Sequence, residues 1–385
     1  MFKDFVKFVR DLYGTKGHIP LHAPQFIGDE KDYVLDTISS TYVSSIGKYV
    51  DQFEDNISQY TGVKHAVATV NGTAALHMAL KLSGVENDTE VLTQSLSFVA
   101  TTNSIKYCGA FPVFLDVSTE TLGLSSKKLG EFLDEFSEMR EDGFCWNKVS
   151  ERKISACLPM HTFGFPVEIE EIKEICSQHN IKLVEDAAES LGSFYKGKHT
   201  GSYGDFSAIS FNGNKIITTG GGGMILTNDS ELASKAKHIT TTARTGNNLF
   251  FIHDQIGFNY RMPNINAALG LAQLESLPRF LESKLEIANR YREWGRQNNL
   301  EFFDSPAETK PNYWLNAFIT QDITQRDEML EVTNDSNVST RPVWTPMHKL
   351  EIFKDCQKDD LKNTNWLADR LVNVPSSFTS NIEKI

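Results

Sequence analysis

The 385-residue chain has no CxxC pair, no excess of basic residues and no uninterrupted apolar run of membrane-spanning length. Its five cysteines (Cys108, Cys145, Cys157, Cys176, Cys356) are scattered and odd in number. That excludes a zinc site or a disulfide framework, so no metal is expected, and it fits a reducing, cytoplasmic setting. With 38 basic against 50 acidic residues the net charge is −12. Binding to a phosphate backbone needs basic stripes that this chain lacks, so no nucleic-acid partner is expected. The missing apolar run argues against a membrane span. At the N-terminus, MFKDFVKFVR sets Phe2, Phe5, Val6 and Val9 at helical spacing among Lys3, Asp4, Lys7 and Arg10. Those charges exclude a secretory apolar region and favour a surface helix docked on the body. Forty per cent hydrophobic residues over this length suffice for one large core and a second, smaller one.

From about His65 to Thr227, short β-rich runs alternate with helical ones, the pattern of a parallel or mixed sheet wrapped by helices. Strands are expected at 65–70, 89–94, 111–117, 154–160, 181–186, 206–211 and 222–227, and helices at 71–84, 98–108, 126–139, 168–179 and 230–238. The polar stretch 139–153 reads as a surface excursion. Beyond about residue 250, two long helices (264–277 and 279–299), a strand at 313–320, a helix near 325–335, a Pro-interrupted segment at 341–348 and a last helix near 360–372 are expected. The layout is a large α/β domain over 1–250 and a smaller α+β domain over 251–385, with residues 1–40 packing across both.

Two segments carry chemistry together. IKLVEDAAESLGS runs apolar from Ile181 to Val184 and then turns acidic at Glu185 and Asp186; 29 positions after Asp186, Lys215 sits in SFNGNKIITTGGGG. A strand ending in a carboxylate and a lysine entering a glycine run are the pair that pyridoxal phosphate needs. The amine forms the covalent link, and the carboxylate keeps the pyridine nitrogen protonated so that the ring can accept electrons. Asn71-Gly72-Thr73 follows a strand and opens a helix, which offers free N–H groups and a positive dipole end to an anion, although Asn71 is equally a plain N-cap. Ser210 could add a hydroxyl to the same phosphate. Phe98 could lie on the pyridine face or in the core, and Glu189, three residues past Asp186, could reach the ring or the substrate. His161 ends a strand where α/β sites form, with a core or capping role competing. His348, in TPMHKLEIF, is a further candidate.

These residues lie in blocks that closely resemble the nucleotide-sugar aminotransferases of the DegT type, over about residues 20–375. The blocks are YVSSIGKYVDQFE (42–54), VNGTAALHMAL (70–80), SLSFVATTNSI (95–105), LPMHTFGFPVEI (158–169), LVEDAAESLGSFYKGKHTGSYGD (183–205), SFNGNKIITTGGGGM (210–224), GFNYRMPNINAALGLAQL (257–274) and RPVWTPMH (341–348). The resemblance implies the aspartate-aminotransferase fold (fold type I): a mixed, mostly parallel seven-stranded sheet plus a small α+β domain. It implies pyridoxal 5′-phosphate as cofactor, with Lys215 as the Schiff-base lysine and Asp186 on the ring nitrogen. Gly72, Thr73 and Ser210 would bind the phosphate, and Phe98 would stack on the ring. Asn259 would cross from a partner subunit to the phosphate, implying a homodimer with shared sites. His161, Glu189, Arg261 and His348 are expected toward substrate.

The chain departs from the wider family at Glu189, often glutamine there and near the phenolic oxygen. A carboxylate at that place must be protonated, turn toward substrate or bond through its neighbours. It departs again at Gly220–Gly223, commonly TTGEGG-like. Both departures resemble the branch that aminates C4 of UDP-linked 2-acetamido-4-keto-2,6-dideoxyhexoses for bacillosamine and legionaminic acid synthesis, with L-glutamate as donor. The alternatives are C3 or C4 amination of a dTDP- or GDP-linked keto sugar, a sugar dehydratase, in which histidine replaces the lysine, and a non-catalytic regulator.

Overall fold

The computed structural model describes residues 1–246 and 249–381. Its centre is a nine-stranded sheet. Seven strands follow one another in the order His65–Thr69, Gly223–Thr227, Phe206–Ser210, Lys182–Asp186, Arg152–Leu158, Glu90–Gln94 and Phe111–Leu115. Gly223–Thr227 runs antiparallel to both neighbours, and the other pairs along the path are parallel. A parallel sheet must be covered on both faces, which is why these strands read as apolar runs rather than alternating ones. One cover is the helix Gly72–Leu82, whose Ala75, Leu76, Met78 and Ala79 pack with Val67, Val91, Ala208 and Ile225 of the sheet.

The remaining two strands correct one expectation. The polar stretch after residue 136 forms a hairpin, Ser137–Met139 with Cys145–Asn147, and the second arm pairs with Arg152–Leu158. Cys145 and Asn147 are buried, and Asn147 hydrogen-bonds Glu90, so the segment widens the sheet instead of leaving it.

A second correction lies in the C-terminal part. The two helices expected on either side of Pro278 are one helix of 35 residues, Asn264–Asn298. Proline removes one N–H and crowds one carbonyl, and the packing around Leu274, Leu277 and Phe280 carries the helix through that point. A four-stranded antiparallel sheet, in the order Glu301–Phe302, Asn316–Ile319, Leu371–Val374, Arg341–Pro342, lies beside it.

The first helix, Phe2–Tyr13, buries Phe2, Phe5, Val6, Val9 and Leu12 and ends at Gly14 in the left-handed conformation (φ 61°). It packs on this C-terminal sheet and the long helix: Phe5 lies 4.9 Å from Trp294 and 5.7 Å from Phe318, ring to ring. Among the described residues no helix is long and apolar enough to cross a membrane.

Candidate active site

The carboxyl ends of the parallel strands, where α/β folds place their ligands, border a cavity of about 480 Å³. Asp186 is the last residue of its strand and is almost wholly buried. Its Oδ2 accepts the Thr101 hydroxyl at 2.7 Å and its Oδ1 the Ala188 N–H at 3.1 Å. Ser97 Oγ donates to Thr101 Oγ1 at 2.7 Å, which leaves the single proton of Thr101 for the carboxylate. Burial pushes the Asp186 carboxyl up, and Thr101, the Ala188 N–H and the Lys215 charge pull it back.

Lys215 follows the strand Phe206–Ser210 in the turn that leads to the antiparallel strand. Its Nζ lies 3.0 Å from Glu189 Oε1 and 4.1 Å from the centre of the Trp314 ring. The other Glu189 oxygen accepts the Phe163 N–H at 2.9 Å. Of the three ways to accommodate a carboxylate at this position, the structure uses bonding through neighbours. Burial pushes the Glu189 carboxyl up, and Lys215 and the Phe163 N–H oppose that.

On the opposite wall, Asn71 Oδ1 accepts the Ala74 N–H at 2.8 Å and so caps the helix Gly72–Leu82. The N–H groups of Gly72 and Thr73, at the positive end of that helix, have no acceptor among the described residues. A Cβ on Gly72 would stand 2.8 Å from Ser210 Cβ and 3.1 Å from its Oγ, so only glycine permits this approach. Gly72, Thr73 and Ser210 all line the cavity, as do Phe98, Asp186, Glu189 and Lys215.

This set fits pyridoxal phosphate. Unpaired N–H groups and hydroxyls suit the phosphate, a desolvated carboxylate suits a pyridinium, an amine suits the aldehyde, and the Phe98 ring offers an aromatic face.

The remaining expected residues lie elsewhere. His161, expected toward substrate, is fully buried: its Nε2 bonds Glu185 at 3.0 Å and its Nδ1 accepts the Val167 N–H at 3.2 Å. Acceptance at Nδ1 places the ring proton on Nε2, which donates to Glu185. Glu185 also accepts the N–H groups of Gly201, Tyr203 and Gly204, each at 2.7 Å. The pair fixes the 200–204 loop beneath the site, and His161 makes none of the cavity's lining. His348 Nδ1 bonds Ser95 Oγ at 2.7 Å outside the lining, and burial pushes its ring down. Asn259 accepts both Arg261 Nε and Nη2, at 3.2 and 2.9 Å, and neither residue lines this chain's cavity.

Conversely, Trp314, Arg341, Trp344 and Asn373 line the cavity without having been singled out. Arg341 and Trp344 stand in the matched block RPVWTPMH, and that was the available signal.

Residues 24–385 match the DegT/DnrJ/EryC1/StrS aminotransferase family. GDP-perosamine synthase of Escherichia coli O157:H7 is 35% identical over 93% of this chain and 94% of its own. UDP-4-amino-4,6-dideoxy-N-acetyl-beta-L-altrosamine transaminase of Campylobacter jejuni is 31% identical over 80% of this chain and 79% of its own. Among solved structures, the aminotransferase TlmJ from Streptoalloteichus hindustanus superposes with a TM-score of 0.85 at 26% identity, over 96% of this chain and 97% of that one. With Lys215, Asp186 and the helix start at Gly72 assembled around one cavity, the chain belongs to the DegT/DnrJ/EryC1/StrS family and is a pyridoxal-phosphate-dependent sugar aminotransferase.

Proposed function

We propose that this enzyme moves the amino group of L-glutamate to C4 of a UDP-linked 2-acetamido-4-keto-2,6-dideoxyhexose, as in bacillosamine or legionaminic acid synthesis. The observation that carries the reaction class is Lys215 beside Glu189 in the cavity bounded by Asp186 and the Gly72–Thr73 helix start. Bound there, pyridoxal phosphate supplies the ring that accepts the electron pair of the broken Cα–H bond. Lys215 Nζ carries the proton off the donor's Cα and later returns one to the sugar carbon, as general base and then general acid. Asp186 keeps the ring nitrogen protonated, and the Gly72 and Thr73 N–H groups hold the phosphate. Among the described residues, Arg341 is the only cation besides Lys215 that lines the cavity, and its side chain has no partner there. A guanidinium so placed suits the donor's carboxylate.

The UDP-linked acceptor rests on the segments SFNGNKIITTGGGGM and EDAAESLGS. It is supported by four side-chain amides on the wall, Asn71, Asn212, Asn214 and Asn373, that can pair with an acetamido group. A second reading, a GDP-linked 4-keto-6-deoxyhexose, is favoured by the likeness to GDP-perosamine synthase over nearly the whole of both chains. A panel of UDP-, GDP- and dTDP-linked 4-keto and 3-keto sugars, with glutamate and product identification by mass and NMR, separates the two. The UDP-linked acetamido sugar is expected to give the highest kcat/KM and an equatorial C4 amine. Preference for a sugar without the acetamido group would replace this acceptor with the second reading, because a site built to pair an amide rejects analogues that leave its polar groups unpaired.

The same proposal includes a homodimer. Asn259 points no bond into its own cavity, and the nearby hairpin Arg244–Thr245 with Ile252–His253 exposes Phe251, Ile252 and Ile256 to 74%, 56% and 85%. Such an apolar cluster suits burial against a second copy. Mixed Lys215→Ala and Asn259→Ala subunits are expected to regain partial activity. In each hybrid, one site carries both defects and the other carries neither. Absence of rescue despite demonstrated subunit exchange would place each site within one chain.

A further inference from the structure

Lys215 is held from two sides, and one buried asparagine joins the two holders. Glu189 stands on one side of Nζ and the Trp314 ring on the other, at 3.0 and 4.1 Å. Asn312, 1% exposed, donates from Nδ2 to the Glu189 carbonyl at 2.8 Å and to the Leu191 carbonyl at 2.9 Å. Its Oδ1 accepts the Trp314 N–H at 2.8 Å, and its own N–H donates to Ser193 Oγ at 2.9 Å. The side chain thus ties the backbone of Glu189 to that of Trp314 across more than 120 positions of sequence.

The surroundings leave this tie no slack. A Cβ on Gly164 would stand 1.8 Å from Asn312 Oδ1, and Gly164 sits at φ 91°. Its neighbour Phe163, whose N–H holds Glu189, takes φ 56°, a left-handed conformation that a bulky residue adopts only where its surroundings impose it. On the other side the Trp314 indole N–H donates to the Asn214 carbonyl at 2.7 Å, one residue before Lys215.

We propose that Glu189 and the Trp314 ring form a dock for the Lys215 ammonium, and that Asn312 is the positioning residue that sets the width of that dock. This rests on the reading of Lys215 as the proton-carrying amine. A cation between a carboxylate and an aromatic face is stabilised by both, the more so where water is excluded. Transfer of one proton from Nζ to Glu189 Oε1 leaves a neutral amine and a carboxylic acid with no change in net charge, and the reverse step restores the pair. The carboxyl is suited to this exchange because burial already raises its proton affinity. Charged or titratable groups packed around the dock include Asp186, Arg341 on the cavity wall, Lys284, which donates to the Trp314 carbonyl at 3.1 Å, and His22, whose ring is pushed well down by burial and stays neutral.

The test reads the amine directly. Full-length protein, stripped of cofactor with hydroxylamine, is reductively methylated with formaldehyde and cyanoborohydride near neutral pH, and labelling of Lys215 is followed by mass spectrometry against exposed lysines of the same chain. Loss of the carboxylate in Glu189→Gln is expected to raise Lys215 labelling by about tenfold, because the amine is released from the 3.0 Å contact that holds it against Oε1. Asn312→Ala is expected to act in the same direction more weakly. Trp314→Leu should also raise labelling, while Trp314→Phe, which keeps a ring, should stay near wild type. Wild-type labelling in Glu189→Gln or in Trp314→Leu overturns the dock, and wild-type labelling in Asn312→Ala overturns the positioning role. Should the Asn312→Ala variant not fold, the Glu189 and Trp314 variants decide the dock, and Asn312→Ser, which keeps a small polar side chain but loses the amide donors, decides the positioning role by the same labelling. Yellow colour with pyridoxal phosphate, bleached by glutamate, is scored separately. Its absence would sink the aminotransfer reading, whereas labelling that ignores these substitutions sinks only the dock.

Discussion

Lys215→Ala protein is expected to fold, to lose the yellow of the lysine-bound cofactor and to lose multiple-turnover transamination. The side chain sits in a turn and is 12% exposed, so its removal opens little of the core. The chief structural consequence falls on Glu189, which loses its cation while remaining buried. Burial already pushes that carboxyl up, so it takes a proton instead of unfolding its surroundings. Catalysis has no such escape. A positioned acid–base group is worth about 10²–10⁴ in rate, and Lys215 is also the only amine among the described residues that line the cavity. Steady-state turnover of glutamate and keto sugar, beside a circular-dichroism spectrum, checks both halves. Sustained turnover by a folded Lys215→Ala variant would remove the central assignment.

Asp186→Asn is expected to keep its shape and slow the glutamate half-reaction by about 10²–10³, the cost of removing a preorganised electrostatic partner of the transition state. The Thr101 hydroxyl can donate to the amide oxygen as it does to the carboxylate. An amide, however, carries no charge with which to hold a ring nitrogen protonated. Single-turnover bleaching of the cofactor by glutamate isolates this effect from sugar binding. A rate within twofold of wild type would show that the ring nitrogen depends on another group.

The parts legible in the sequence were those built by short stretches of chain. A strand ending in Asp186, a helix opening at Gly72 and a lysine entering a glycine run are local patterns, and the fold brings all three to one cavity at the carboxyl end of the sheet. The wall supplied by Trp314 and Asn373 was not legible, because it arrives from strands and turns far along the chain that no periodicity connects to Lys215, and Arg341 was marked only by its place in the matched block RPVWTPMH. Of the roles the sequence left open for His161, the structure takes the core one, for a related reason. Its position at a strand end is right for a site, but the neighbouring Glu185 captures its ring into the interior. Pro278 misled in the other direction, since a local rule about proline yields to the packing on both sides of it.

Lys284, near the middle of the long helix, donates to the carbonyls of Trp314 and Ser376 at 3.1 and 2.6 Å and is wholly buried, with no carboxylate paired to it among the described residues. Burial lowers its pKa from the usual lysine value to about 7. The unfolded chain therefore binds this proton more tightly than the folded one. Below about pH 7 the fold bears the full penalty of a buried cation. The penalty is relieved as pH climbs from there toward the ordinary lysine value, where the unfolded chain loses the proton too. Through this residue alone the thermal stability of the protein rises across the mildly alkaline range, although the amine that reaches the backbone of Trp314 then does so without its charge.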